Sequence, residues 1–395
     1  MQYNFDELQF RTNTPSLKWN PEFYSKRFHG HTDLLPLWVA DMDFKASHGI
    51  LRRLERVMDD GIFGYTSFDD EYYEAIMQWE QRRHGINCTR EEIHHIPSVA
   101  PALAYLINSF TCKGDGVIIQ SPVYPPFRSS VLDNGRSLVV SPLVETSQGH
   151  FVMDYADFEQ KVIKNKVRLF LLCNPHNPGG RVWTKEELEQ VATICLRHNV
   201  LIVSDEIHCD LTFFGHTYTS LLHLAPEISR QSIVCKSASK TFNIAGAHIA
   251  HAIIQNSELR ERFQRTANRF FLHGTNIFAT EMVKGAFLES DDWYEQMLKY
   301  IESNILFASQ YCTDHIPTLH MPLQESTYLG FIDARKLGLS PTELEYFCEN
   351  KAKLAFNYGH WFGKEGEGFL RINLACPQSL VATALTRLKE AILTL

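Results

Sequence analysis

From Val117 onward, short apolar runs alternate with stretches of helical spacing, and this alternation organises the chain. Val117–Ile119, Ser137–Val140, Arg168–Cys173, Val200–Val203 and Gln231–Cys235 read as strands. The run ending at Cys173 is nearly all apolar, as expected of a strand covered on both faces. Between them, Pro126–Leu132 and Tyr155–Lys164 read as helices. A third runs to His198 and is opened by Thr184 with Glu187, the spacing of a capping box. Upstream, Ser47 caps a helix to about Asp60, and Asp70 starts another through Arg83 that Gly85 stops. The loop Phe63–Phe68 between them carries Tyr65. Ser98–Pro101 precede a helix from Ala102 to about Phe110. After Ser257 helical patterns dominate to about Gln310. A strand at Gly330–Asp333, a helix at Pro341–Lys351, a strand at Leu370–Leu374 and a helix from Pro377 towards Leu393 follow. Residues 1–45 are irregular and rich in aromatics.

This alternation predicts an α/β fold with a mostly parallel central sheet flanked by helices, and a smaller α+β domain. A chain of 395 residues exceeds one simple core. The expected division is a large domain over 46–285 and a small one built from 1–45 and 286–395. In such sheets ligands sit beyond the carboxyl ends of the strands, so the loops after strands are where chemistry belongs.

Composition narrows the class. A net charge of −8 argues against a binder of nucleic-acid backbones. No run of 18 apolar residues predicts a membrane span, and Met1–Asp6 lacks the basic-then-apolar pattern of a secretory signal. The nine cysteines are scattered singly, without the spacing of a zinc site or disulfide framework. Reduced thiols in a cytoplasmic protein are the expectation. His94-His95, beside Glu91-Glu92, reads as a solvated junction between helix and strand.

Four loops after strands, together with one helix start, carry polar residues of interest. Ser237–Gly246 reads S-A-S-K-T-F-N-I-A-G and follows the strand ending at Cys235. A lysine between hydroxyl residues suggests an amine tied to a carbonyl, with serines for a phosphate: the needs of pyridoxal phosphate (PLP). Those ten residues alone favour an ordinary solvated lysine in a surface loop after a strand. Asn174–Gly180, N-P-H-N-P-G-G, follows the strand ending at Cys173, and Asn177 can hydrogen-bond a ring oxygen. Asp205 stands at the tip of a buried strand, where an acid is costly without a positive partner. A protonated pyridine nitrogen is one such partner, and a structural cap is the alternative. His208 could touch a ring hydroxyl or fill space. Tyr124, held among prolines, could stack on a planar ring. The amides of Val99 and Ala100 at a helix start favour an anion.

In their order and spacing these loops resemble the fold-type I PLP enzymes, the aspartate aminotransferase-like family, from about Pro36 to the C-terminus. The markers are Asn174–Gly180, S-D-E-I-H at Ser204–His208, S-A-S-K at Ser237–Lys240 and R-I-N at Arg371–Asn373. The resemblance implies a three-layer PLP-transferase fold. Lys240 would be the Schiff-base lysine, Asp205 the partner of the pyridine nitrogen, Asn177 a contact of the ring oxygen, and Tyr124 a stacking residue. Ser237 with the amides of Val99 and Ala100 would hold the phosphate. Arg371 would grip the substrate carboxylate. Tyr65 would reach the phosphate of a neighbouring subunit, implying a homodimer with shared active sites.

Two departures point within the family. Aminotransferases usually carry a tyrosine where this chain has His208, and an arginine where it has His248. Both changes, with P-L-W-V-A-D-M-D-F at Pro36–Phe44 and S-K-T-F-N-I-A-G, are similar to the cystathionine β-lyase branch often called MalY/PatB. The lost arginine leaves one phosphate contact for Ser239 or Thr241 to supply. The resemblance therefore implies carbon–sulfur β-lysis of a small amino-acid substrate such as cystathionine, with Lys240 as base and Tyr124 assisting proton transfer. An aminotransferase is the nearest alternative, and a regulator acting through protein contacts a further one.

Overall fold

The structure, a computed structural model, describes residues 2–272 and 274–395. Its centre is a seven-stranded sheet. In chain order the strands are β1 (Ile93–Ile96), β2 (Gly116–Ser121), β3 (Ser137–Pro142), β4 (Val167–Cys173), β5 (Leu201–Asp205), β6 (Ser232–Lys236) and β7 (Ala250–Ile253). They lie side by side as β1-β7-β6-β5-β4-β2-β3. Only β7 opposes the rest, pairing antiparallel with both β6 and β1. The carboxyl ends of the other six therefore share one edge.

Alternation of side chains along each strand builds the layers. Leu169 and Leu171 of β4, Val203 of β5 and Ile233 of β6 face a core with Leu103, Leu106, Phe127 and Phe263. Their neighbours Phe170, Leu172, Ile202 and Val234 face the opposite core with Phe158, Leu188 and Val191. Each fully buried side chain of this size contributes roughly 1.5–3 kcal/mol. The predicted helices stand close to their expected limits. Ser47 Oγ accepts from the Ile50 amide (3.2 Å) and Gly61, at φ 65°, ends the helix His48–Asp60. The box of Thr184 with Glu187 is formed.

Some expectations change. His94 and His95 are not a solvated junction but the middle of β1, each with a ring nitrogen buried without a partner. Burial pushes both imidazoles down to about 4. β7 is a strand where the sequence pattern predicted none. The helix expected from Ala102 begins at Val99, and the one expected over Pro341–Lys351 is α-helical only to Tyr346, then widens into a π turn.

A second sheet of β8 (Leu329–Asp333), β9 (Asn357–Tyr358) and β10 (Phe369–Asn373) has the order β8-β10-β9 and is antiparallel. The N-terminal segment is fastened to it. Leu35–Pro36 pairs with Leu354–Ala355, and Asn373 Nδ2 donates to the carbonyls of Val39 (2.7 Å) and Asp41 (2.5 Å). A buried lysine holds the same segment from behind: Lys18 Nζ lies 2.7 Å from Asp43, which also accepts from Trp19 Nε1 (2.7 Å). Residues 38–43 are thereby stretched across the carboxyl edge of the large sheet. No helix among the described residues is long and apolar enough to cross a membrane.

Candidate active site

The chain order reverses between β4 and β2: β5 and β6 continue on one side, β3 on the other. Loops leaving the sheet here diverge and leave a crevice. A cavity of about 150 Å³ opens there, and the segments that follow β1, β2, β4, β5 and β6 reach it. Val99 and Ala100 come from the end of β1, Tyr124 from β2, Asn177 from β4, Asp205 and His208 from β5, and Lys240 from β6.

Lys240 sits in the short helix Ala238–Thr241, where Ser237 is the cap. Its Nζ donates to the Ala40 carbonyl (2.6 Å) and makes no ion pair among the described residues. Burial, aided by the charge of Arg371 and opposed by Asp41 and Asp205, pushes the amine down to about 8. Asp205 is 6% exposed, and Oδ1 accepts only from the Ile207 amide (3.1 Å). Burial raises its carboxyl to about 7. An acid this reluctant to ionise calls for a cation in the cavity.

Arg371 projects from β10. Its guanidinium donates to Asn177 Oδ1 (3.0 Å), Asn357 Oδ1 (2.5 Å) and the Trp38 carbonyl (3.3 Å), all neutral acceptors. Its Nε is buried without a partner, and no carboxylate pairs with it among the described residues. Burial lowers its pKa to about 10. Uncompensated burial of such a charge costs several kcal/mol, so the site is built for an anion.

His208 lines the cavity with Nδ1 buried and unpartnered, and burial pushes its pKa down to about 3, so the ring is neutral. Tyr124 is largely buried and its phenol is raised by that burial. Ser98, ahead of the helix Val99–Phe110, does not cap it; its hydroxyl donates to the Pro97 carbonyl (2.6 Å). The amides of Val99 and Ala100 thus belong to an uncapped helix start on the cavity wall.

Two expected residues lie elsewhere. Ser237 is turned from the cavity: its hydroxyl donates to the Ile249 carbonyl (2.8 Å) and accepts from the Ser239 amide (3.0 Å). Ser239 lines the wall instead. Tyr65 is fully exposed on the outer loop, away from this chain's own cavity. Thr241 is also occupied, donating to Asp210 (2.6 Å), whereas His248 Nδ1 lies 3.5 Å from Ser98 Oγ, beside the helix start. Sequence reasoning missed Asn357 and the carbonyls of Trp38 and Ala40. Tyr328 also donates to Ala40 (2.9 Å). The only signal for the carbonyls was the W-V-A-D-M-D stretch.

The family model for aminotransferases of class I and II matches residues 32–388. The chain belongs to this family. It is 38% identical to cystathionine beta-lyase PatB of Bacillus subtilis, over 98% of this chain and all of the relative. Among solved structures, cystalysin of Treponema denticola, which contains PLP, superposes with a TM-score of 0.95 at 33% identity over the whole of both chains. A PLP-bound putative aminotransferase from Clostridium difficile gives 0.96 at 42% identity, covering 99% of this chain and 100% of that one. The donor set of the cavity fits such a group. Asp205 suits a ring nitrogen, the uncapped helix start suits a phosphate, and the Lys240 amine suits an aldehyde carbon.

Proposed function

We propose that the chain is a PLP-dependent carbon–sulfur β-lyase. It acts on an L-amino acid with sulfur on its β-carbon, such as cystathionine. One water is consumed, and a thiol, pyruvate and ammonia are released. The observation that carries this reading is a pair of uncompensated cationic groups: Lys240, an amine with no ion-pair partner in the cavity wall, and Arg371, a buried cation with no anion, hydrogen-bonded to the wall residue Asn177.

PLP, when bound, draws electron density from the substrate carbon that bears the amine and carboxylate. The chain's own residues do the rest. Arg371 takes the α-carboxylate in its fork and so fixes which bond faces Lys240. Lys240, its pKa near 8, accepts the α-proton at Nζ once its contact with Ala40 is given up. Asp205 would hold the ring nitrogen and be stabilised there as a carboxylate. Asn177, which accepts from Arg371, and Tyr124 would contact the ring, and Val99, Ala100 and Ser239 would hold the phosphate. Tyr124 also assists proton transfer to the departing sulfur. Loss of the thiolate leaves an enamine acid, which water converts to pyruvate and ammonia.

The exposed Tyr65 belongs to a second copy's site in this reading. Met58, Ile62, Phe63 and Phe271 around that face are exposed as well, an apolar surface for a homodimer to cover. Amino transfer is the second reading, favoured by the Clostridium difficile neighbour's name. Incubation with L-cystathionine and no keto acid separates the two: the lyase releases pyruvate and thiol in equal amounts, whereas amino transfer needs a keto acid. Turnover only with added keto acid would reject the lyase.

A further inference from the structure

Arg371 accounts for one carboxylate, yet a second unpaired guanidinium stands beside it. Arg27 follows the short helix Pro21–Tyr24 and lies 3.9 Å from the ring centroid of Trp361 and 5.7 Å from that of Trp38. It makes no ion pair or side-chain hydrogen bond among the described residues. Arg27 is exposed as a residue, partial desolvation of its guanidinium alone lowers its pKa, and its charge is among those that lower Arg371. Trp38 joins the two cations, its carbonyl accepting from Arg371 (3.3 Å) and its ring lying under Arg27. Trp38 is 9% exposed, and its Nε1 is a buried donor with no acceptor. Two residues on, the Ala40 carbonyl accepts from Lys240. The backbone from Trp38 to Ala40 spans at most about 7 Å, so Arg27's platform adjoins the reaction centre.

Stacking holds a guanidinium flat while leaving its N–H edge free for a planar anion. We infer that Arg27 determines specificity: it receives an anionic group at the far end of the sulfur substituent, so that the preferred thioethers carry a second carboxylate. This rests on the lyase reading and names its substrate class.

The test compares S-(2-carboxyethyl)-L-cysteine with S-propyl-L-cysteine, matched in length, on the cofactor-loaded wild type and on Arg27→Met and Arg27→Lys. Calorimetric binding of glutarate and butyrate is measured alongside. A lost charge-assisted contact predicts that Arg27→Met lowers kcat/KM for the carboxyethyl substrate about tenfold or more relative to its effect on the propyl one. The loss is expected in KM, with partial recovery in Arg27→Lys and a matching selective loss of glutarate affinity. Equal effects on both substrates and both acids would overturn the inference, leaving Arg27 as a packing residue. If wild type cleaves neither thioether but prefers glutarate in an Arg27-dependent way, the subsite stands and the lyase reading falls.

Discussion

Asp205 and Glu206 are neighbours in sequence and opposites in environment. Both are buried, as is Lys236 at the end of β6, and Lys240, just beyond that strand, is partly so. Alternation along the chain sends Glu206 away from the cavity, where it accepts from Ser204 (2.9 Å), Ser220 (2.7 Å) and Tyr218. Lys236 pairs with Glu80, and nearby Asp210 accepts from Trp79 (3.0 Å) and Thr241 (2.6 Å) and bonds His84 (2.8 Å). Beneath the cavity, then, every one of these charges has a partner. In and just behind the cavity wall Asp205, Lys240 and Arg371 have only amide, carbonyl or asparagine contacts. Buried charge is costly in both places, but only the lower set is compensated by the protein itself. The upper set stays uncompensated until a ligand arrives, as expected where stability is given up for function.

Substitutions should therefore act in opposite senses on the two sets. Arg371→Leu is expected to reduce kcat/KM for cystathionine by roughly a hundredfold or more, mostly through KM, since two charge-assisted bonds to the carboxylate vanish. The same change should stabilise the cofactor-free fold in urea melts; destabilisation would mean the guanidinium is not an unpaired charge. Glu80→Gln breaks the lower set and should cost about 3–5 kcal/mol of unfolding free energy, because Lys236 is left alone. An unchanged midpoint would remove the contrast.

Asp205→Asn sharpens the contrast through pH. The native carboxyl titrates near 7 against 3.8 in the unfolded chain, so the native state holds the extra proton between those values. Stability from that proton is complete below about 4 and fades as pH rises to about 7. Asparagine mimics the protonated form, so its advantage over cofactor-free wild type should grow across that window and level off at no more than about 4 kcal/mol. A flat difference would contradict the raised pKa. With cofactor bound the sign should invert, since only the carboxylate neutralises a ring cation.

Much of this arrangement was legible beforehand because chemistry and periodicity coincided. β2 to β6 are largely apolar runs that end in polar segments, and Asn177, Asp205 and Lys240 stand at or just beyond the ends of β4, β5 and β6. Less was legible where burial depends on distant partners. β1 and β7 are short and carry histidines, and His94 and His95 are enclosed by their antiparallel pairing together with the rings of Phe263 and Phe68. Ser237 and Ser239 are alike in sequence, and the turn of a four-residue helix decides which faces the cavity. The carbonyls of Trp38 and Ala40 are backbone groups with no residue-type signature. Tyr65 points outward, fully exposed, and nothing in its local sequence distinguishes it from an ordinary loop tyrosine.

The central claim is that the unpaired wall groups are the reaction centre, with Lys240 as anchor and base. Lys240→Ala tests it most directly, read by the visible absorbance of lysine-linked cofactor and by pyruvate release from cystathionine. Loss of both, with pyruvate formation down by about 10⁴-fold or more, is the predicted result. Full turnover by the variant would contradict the account.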